Sequence, residues 1–593
     1  MPDVAQRDGP LLVFGPRSTS YDFGPAHPLT PRRFGPAIDL LATIGAVPGL
    51  APEPAADEEL RPCHTEEYIA AVRRFSDDPS RLPEAGIGSS DNPAFRGMHD
   101  AGAMVAGGSL RALEAILRGD VEHAFHPGGG LHHAMPDRAS GFCIYNDPAL
   151  AIARARRAGL RVLYLDFDVH HGDGVEAIHR DDPGVLTVSF HESGRTLFPG
   201  TGWLDELGEG PAAGTVLNVP LDAGTGEVGW LAAVRLLVPE LAAAFGPDIV
   251  VSQHGADAHA WDPLAQLRVT TTAMAAAARL VDGIAHLWSS GRWLATGGGG
   301  YDIYRVVPRA WSLVWLAGAH RETPERIDEG WRDRWAAEAS RFRQAPPPER
   351  FLDEPNAGEA VSAVGATADE RAVAIAGVVR SVGVPALIRA AAELGWWDAE
   401  ADLRRPPRGG DGLGAIARGN AVPVADRPAI LEHVTAGTWA RLALAPRVIS
   451  PADPDAAQVL VEAALRSTDG VSLTAALDGT LVVGACLSAA PAAWAGTRRI
   501  LALGVAPEAR RRGLGRRLLA AHLDGLRPGD NDLEALVTVA ERDPFEPLSR
   551  DVRAVLARRL FVGVGFDVGR AADPVGRIDP DAILARRPAL SEA

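Results

Sequence analysis

The chain has 593 residues, 46% hydrophobic and 23% charged, with a formal net charge of −17. That length exceeds what one hydrophobic core supports, so two or three domains are expected. The negative charge argues against a nucleic-acid backbone as the main partner, and no run approaches ~20 uninterrupted apolar residues, so no membrane span is expected.

The opening "MPDVAQRDGP" lacks the basic start and apolar run of a secretory signal. Three widely spaced cysteines, Cys63, Cys143 and Cys486, make neither a disulfide framework nor a thiolate zinc site. A cytoplasmic protein fits best. From Leu11 to Trp315, apolar runs alternate with helical stretches, the pattern of an α/β domain with a mainly parallel sheet. "AGAMVAGGSLRALEAILR" reads as a helix, then "RVLYLDFDV", "VLTVSF" and "DIVVSQ" as strands, "TTTAMAAAARLVDGIAHLW" as a helix and "RWLATGG" as a strand. From Glu322 to Asn356 the chain turns charged and Pro-containing, marking a domain edge. Residues 367–399 read as helical, "RRPPRGGDGLG" as a turn-rich connector, and a second βα pattern begins near Arg447. The expected domains are 1–355, a helical connector over 356–444, and 445–593.

The stretch "LYLDFDVHHGDGVE" begins as a buried strand yet carries Asp166, Asp168, His170, His171 and Asp173. Burying a lone charge costs several kcal/mol, so a metal, a catalytic network or an exposed loop must account for them. In a strand, side chains at i and i+2 share a face, which sets Asp168 and His170 to grip one ion with Asp166 beside them. Asp257 in "DIVVSQHGADAHAWDPL" follows another strand, and ligands collect beyond the carboxyl ends of parallel strands. Two carboxylates and one imidazole with an open position suit a catalytic metal, though a structural polar network has the same spacing. The tandem His132–His133 follows a triple glycine that lets backbone approach a substrate closely. Two adjacent imidazoles repel when both are charged, so their protonation should differ, and Asp166 and Asp173 are the available carboxylate partners. Tyr301, on a flexible glycine run just past a strand, is placed to donate to a developing oxyanion.

"HPLTPRR", "CHTEEYI", "GSSDNPAF", "GGGLHHA", "SGFCIYND", "LDFDVHHGDGVE", "TVSFHESGRTLFPGTG", "LNVPL", "QHGADAHAWDPL" and "GGGGYDI" follow one another in the order of the zinc-dependent histone deacetylase superfamily, which the first ~350 residues resemble. The branch most similar is the bacterial acetoin-utilisation deacetylases. The resemblance implies an arginase-like α/β fold around an eight-stranded parallel sheet with flanking helices. It implies metal ligands Asp168, His170 and Asp257, a catalytic pair His132 and His133 with Asp166 and Asp173, and a carbonyl-polarising Tyr301. It also implies aromatic tunnel walls Phe142 and Phe198 beside Gly141, and a rim acid, Asp91, that holds substrate backbone. Zn2+ is the implied ion, Fe2+ suits the same oxygen-rich set, and a structural K+ is implied near Asp166, Asp168, His170, Ser189 and Phe190. His179 and Cys143 read as packing residues.

The C-terminal ~145 residues resemble the GNAT superfamily of N-acetyltransferases. "RRILALGVAPEARRRGLGRRLLAAHLDGL" has their strand–loop–helix, and Arg510, Arg511, Arg512, Gly513, Leu514 and Gly515 fit their pyrophosphate pattern. Backbone amides at a helix N-terminus cradle phosphates, here those of acetyl-CoA. Val505 would hold the pantetheine arm, "RVISPADPDAAQVLVEAAL" the opening strand and helix, "LTAALDGTLVVGACLS" the central hairpin and "LFVGVGF" the closing motif. Phe561 stands where many members carry a tyrosine that protonates the leaving thiolate, and Glu534 and Glu541 are unassigned bases, so both acetyl transfer and acetyl-CoA sensing stay open. For the whole chain three readings compete: a deacetylase of acetylated proteins, with acyl-CoA synthetases as the substrate class the resemblance suggests; an amidohydrolase of acetylpolyamines; and a non-catalytic acetyl-CoA-responsive protein, which the intact metal set opposes. Oligomeric state is not legible.

All 59 basic residues are arginine. GC-rich codon usage explains this. So does selection against self-modification, because a lysine beside an acetylating module is a substrate at high effective concentration. On the second reading, lysines introduced on the surface near the acetyl-CoA loop become acetylated when the protein is incubated with acetyl-CoA. Unmodified lysines by mass spectrometry would leave codon usage as the explanation.

Overall fold

The computed structural model describes residues 9–354 and 363–394, with segments of the C-terminal part at 421–423, 471–478, 481–489, 498–505, 514–524, 533–537, 559–562, 564, 566–570 and 583–587. It divides into two compact units, Met1–Ala390 and Ala391–Ala593.

In the first unit eight strands form one sheet: β1 Leu11–Val13, β2 Pro48–Leu50, β3 His123–His126, β4 Val162–Asp166, β5 Val185–Glu192, β6 Val216–Leu221, β7 Ile249–Gln253 and β8 Trp293–Thr296. Their order is β2-β1-β3-β8-β7-β4-β5-β6, and every pairing is parallel. The parallel eight-stranded sheet with flanking helices is thus as expected. Strands such as β5 are buried along their whole length, which explains why they read as continuous apolar runs rather than alternating ones. Helices Met98–Arg118 and Asp147–Arg157 pack a mostly apolar surface against the sheet. Local signals start and stop them: Asn146 Oδ1 accepts from Ala149 N, Thr270 Oγ1 accepts from Ala273 N to cap helix Thr271–Ser289, and Gly119 ends helix Met98–Arg118 in the left-handed region.

The strand containing the acidic motif ends earlier than alternation suggests. β4 stops at Asp166, and Asp168 and His170 sit on the loop beyond it. Two Asx-type bonds fold that loop: Asp168 N donates to Asp166 Oδ1 at 3.1 Å and His170 N to Asp168 Oδ1 at 3.1 Å. The acids therefore converge through local side-chain-to-backbone bonding rather than through pleat periodicity.

The charged segment after Glu322 is fastened to the first unit. Arg309 is buried and its Nη1 donates to Asp353 Oδ1 at 2.8 Å. Asp353 Oδ2 also accepts from Thr271 N at 2.8 Å and pairs with His259 Nε2 at 2.8 Å. Helix Ala363–Glu393, the counterpart of the helical reading over 367–399, is bound there as well: Gly226 N donates to Asp369 Oδ1 at 2.7 Å, and Arg371 pairs with Asp222. These contacts all fall within the first unit, which ends at Ala390.

In the second unit a seven-stranded sheet runs β14-β15-β13-β12-β11-β10-β9, with β9 Ala421–Pro423, β10 Val471–Asp478, β11 Leu481–Ala489, β12 Arg498–Val505, β13 Leu533–Val537, β14 Asp567–Arg570 and β15 Ile583–Arg587. β10 and β11 form the expected antiparallel hairpin, and β12 joins β13 in parallel through Arg498 with Leu533 and Arg499 with Glu534. Helix Leu514–Asp524 follows β12. The proposed opening strand and helix at 447–465 lie outside the described residues.

Burial works against ionisation of Asp353, but His259 and Arg309 outweigh it and hold the carboxyl below its usual range. Stabilisation from a depressed carboxyl is complete above the unfolded value of about 3.9 and is lost as pH falls below it. Asp353→Asn should cost about 3–5 kcal/mol, because it strands a buried guanidinium. Denaturant unfolding at pH 7 checks this, and the gap between wild type and variant should narrow below about pH 4.

Candidate active site

The carboxyl ends of β4, β7 and β8 meet at one depression. Asp168 and His170 come from the loop after β4, Asp257 from the loop after β7, and Tyr301 from the loop after β8. His132 and His133 follow β3, so they enter from the neighbouring strand end. Adjacent β3, β8, β7 and β4 thus supply every one of these groups.

Asp168, His170 and Asp257 place one ligand atom each within 4.8 Å of the others, and none is exposed. His170 Nδ1 lies 3.0 Å from Asp168 Oδ1 and 3.2 Å from Asp257 Oδ2. Asp257 Oδ2 is buried without a hydrogen-bond partner. The remaining carboxylate oxygens are held: Asp168 Oδ2 accepts from Gln253 Nε2 at 2.7 Å and Gly299 N at 2.8 Å, and Asp257 Oδ1 from Val169 N at 3.1 Å. Burial and the neighbouring Asp168 charge push Asp257 up to about 6. Burial opposes protonation of His170, yet its two carboxylates raise it to about 10. Two buried carboxylates facing one imidazole nitrogen, with one buried oxygen left without a hydrogen bond, fit a divalent cation bound by mixed oxygen and nitrogen donors.

Beside this cluster, His132 Nε2 and His133 Nε2 stand 3.1 Å apart. His132 Nδ1 meets Asp166 Oδ2 at 2.8 Å, and His133 Nδ1 meets Asp173 Oδ1 at 2.7 Å. The two rings nevertheless differ in proton affinity. Burial disfavours charge on both. At His132 the charges of Asp166 and Asp168 win and raise it to about 9. At His133, burial and the charge of His132 outweigh Asp173 and lower it to about 4. One imidazole is therefore a cation and its neighbour a free base at neutral pH.

Several positioning residues were not singled out in the sequence. Tyr164 Oη donates to Asp166 Oδ2 at 2.7 Å, so Asp166 is fixed from its own strand, two residues back. Asn146 Nδ2 donates to the carbonyls of His132 and Ala134 at 3.0 Å each, clamping the histidine turn. Asp147 Oδ1 accepts from Gly130 N and Leu131 N. Asp262 Oδ2 accepts from Tyr301 N at 2.8 Å. Each lies inside a quoted motif, but the partner it serves is distant in sequence for all but Tyr164.

The glycine run before Tyr301 serves packing rather than flexibility. A Cβ on Gly299 would sit 1.9 Å from Asp257 Oδ2. Below the run, buried Arg33 donates to Gly298 O at 2.7 Å and stacks over Trp311. Burial, with the charges of Asp257 and Asp168, holds the Tyr301 phenol well above its usual range, so it is a proton donor.

A narrow cavity leads from the surface to these groups, lined by Gly141, Phe142, His133, His170, Gly299 and Tyr301 among others. The Phe142 ring lies 6.1 Å from that of Tyr301, and Phe198 lies 5.1 Å from His133. Phe198 is 42% exposed. Asp91 is exposed; its carbonyl accepts from His27 Nε2 at 3.1 Å, and the His27 ring abuts Phe142. That places the expected rim acid near the aromatic wall. Ser189 stands opposite Asp166 in the β4–β5 ladder, and Phe190 stacks on Phe167 at 5.8 Å. His179 and Cys143 are buried, His179 against Ala149 O.

In the second unit, Val505 ends β12 and Leu514 and Gly515 open the following helix. Arg510, Arg511, Arg512 and Gly513 lie outside the described residues, as does Glu541. Glu534 is on β13. Phe561 is fully buried, 5.3 Å from Phe566 in an edge-on contact.

The histone deacetylase domain matches residues 27–317, and the acetyltransferase (GNAT) family matches residues 439–538. The acetoin utilization protein AcuC of Bacillus subtilis is 43% identical over 55% of this chain and 86% of its own length. AcuC of Staphylococcus xylosus is 36% identical over 56% of this chain and 89% of its own. The crystal structure of an HDAC homolog complexed with SAHA superposes with a TM-score of 0.54 at 29% identity, covering 62% of this chain and all of that one.

Gly141 has φ +49°, and a Cβ there would lie 2.4 Å from His133 Cδ2 and 2.9 Å from Phe198 Cε1. Gly141→Ala should therefore close the slot beside His133 and cut acetate release at least tenfold, with the melting temperature lowered by only a few degrees. Unchanged turnover would show that substrate does not pass this wall.

Proposed function

We propose that this chain, which belongs to the histone deacetylase family and carries a C-terminal GNAT domain, hydrolyses N-ε-acetyl-lysine in proteins and binds acetyl-CoA in its second unit. The observation that carries the first part is the convergence of Asp168, His170 and Asp257 with an unequally protonated histidine pair and a neutral tyrosine at the base of one narrow, aromatic-walled slot.

Asp168, His170 and Asp257 would hold the ion, zinc or ferrous iron. When bound, such a cation supplies Lewis acidity, polarising the amide carbonyl and acidifying water. His133, neutral and oriented by Asp173, accepts the proton from water and returns one to the departing amine. His132, kept cationic by Asp166, stabilises negative charge nearby. Tyr301 donates its phenolic hydrogen to the oxyanion. Phe142 and Phe198 flank the acyl-lysine stem, and Gly141 leaves room for it. Asp91 at the rim suits a backbone N–H of a peptide substrate. The structural potassium at Asp166, Asp168, His170, Ser189 and Phe190 is proposed on family resemblance.

For the second unit, the strand ending at Val505 and the helix opening at Leu514, with the sequence pattern "RRRGLG" leading into that helix, support acetyl-CoA binding through backbone amides at a helix N-terminus. Phe561, packed on Phe566, offers no hydroxyl to a leaving thiolate. That supports acetyl-CoA sensing over transfer through that residue.

Acetate release from an acetylated acyl-CoA synthetase peptide, measured beside an acetylated polyamine, tests the substrate class. The peptide should be preferred, chelator treatment should abolish release, and Tyr301→Phe should lower kcat by about 10²–10³. Preference for the polyamine would replace the protein-substrate reading with a small-molecule amidohydrolase.

A further inference from the structure

At the opposite edge of the sheet, where the strands begin, four more metal-binding side chains meet. His123 is the first residue of β3. Asp282 and His286 lie one turn apart on helix Thr271–Ser289 and so share a face. His320 follows helix Val307–Gly318, just past its C-cap at Ala319. We propose that His123, Asp282, His286 and His320 form a second divalent metal site, of the zinc class, separate from the catalytic cluster.

The spacing is that of a coordination shell. His123 Nε2 and His286 Nε2 are 3.1 Å apart, and His286 Nε2 and His320 Nε2 are 3.0 Å apart. Asp282 Oδ1 stands 3.2 Å from His320 Nε2, 3.3 Å from His123 Nε2 and 3.5 Å from His286 Nε2. All four atoms fall within 4.8 Å of one another. Ligands bonded at about 2.1 Å to a tetrahedral centre stand about 3.4 Å apart. The distances at Asp168, His170 and Asp257, 3.0 and 3.2 Å, are of the same kind.

Hydrogen bonding alone serves this arrangement poorly. His286 Nε2 has one proton or one lone pair, yet three polar atoms crowd it within 3.5 Å. All three histidines aim the same nitrogen, Nε2, at one point, which a single cation satisfies at once. His320 adds a backbone observation. Its φ of +53° is left-handed, a conformation that favours glycine at helix ends. A β-carbon is retained at a position where glycine fits better, and its imidazole reaches the cluster.

The burial is graded. His123 is buried and Asp282 mostly so, while His286 and His320 open to solvent and give the ion a path in. Imidazole-rich sets favour zinc among abundant divalent ions. Four protein ligands leave no open position, so the site is structural: it ties β3, helix Thr271–Ser289 and the turn after helix Val307–Gly318 together. It makes no use of the catalytic residues.

The test uses the full chain, stripped with chelator and reloaded with zinc. Wild type should hold about one more zinc per chain, by elemental analysis after gel filtration, than His286→Ala/His320→Gly, and both should release acetate comparably. In an Asp257→Asn background, where the catalytic set is broken, added Co2+ should give the absorption of a tetrahedral centre, and that band should vanish with the double variant. Equal zinc content in wild type and double variant, or no tetrahedral cobalt band in Asp257→Asn, would overturn the site without touching the deacetylase reading. Should the double variant fail to fold, His320→Gly alone decides. Its backbone is relaxed, so its metal-free melting temperature should equal or exceed wild type, while the rise on adding zinc should shrink. An equal zinc-induced rise in both proteins would overturn the proposal.

Discussion

Four carboxylates and three imidazoles are gathered at the carboxyl edge of an apolar parallel sheet, and the cost of desolvating them organises everything nearby. An uncompensated buried carboxylate is among the most destabilising groups a core can hold. Here Asp166 takes hydrogen bonds from Tyr164 and the Asp168 amide and pairs with His132. Asp168 takes them from Gln253 and Gly299, and Asp173 pairs with His133. The oxygen left over is Asp257 Oδ2, beside His170. A fully buried acid oxygen left without a hydrogen bond beside an imidazole has the chemistry of a cation ligand.

The same electrostatics separates two histidines that are neighbours in sequence and in space. Both are buried and both have a carboxylate on Nδ1. What distinguishes them is a second acid: His132 Nε2 lies 3.9 Å from Asp168 Oδ1, whereas His133 faces His132. Placing a base next to a fixed positive charge keeps it unprotonated and ready at neutral pH. The dyad is thus asymmetric by position, with no difference in residue type.

Family membership brings two modules into one chain, one of the histone deacetylase family and one of the GNAT acetyltransferase family. A lysine-free sequence is compatible with their coexistence. With the histidine–aspartate cluster at the amino edge of the first sheet, groups of metal-type donors lie at both ends of its strands.

Much of this was legible in the residues. Continuous apolar runs separated by amphipathic helices specify a parallel sheet, because only strands covered on both faces bury every side chain. The order of quoted motifs named the family, and that resemblance singled out Asp168, His170 and Asp257 as ligands, which spacing alone left open against a structural polar network. The turn that joins Asp168 to His170 was misjudged as strand alternation, since Asx bonding gives the same two-residue spacing as a pleat. Only tertiary structure decided the rest. Asn146, Asp147, Gln253 and Asp262 serve partners far off in sequence, and local pattern carries no information about such contacts. His123, Asp282, His286 and His320 look unremarkable along a chain of 593 residues; packing a strand, a helix and a turn against one another is what brings their donor atoms to one point.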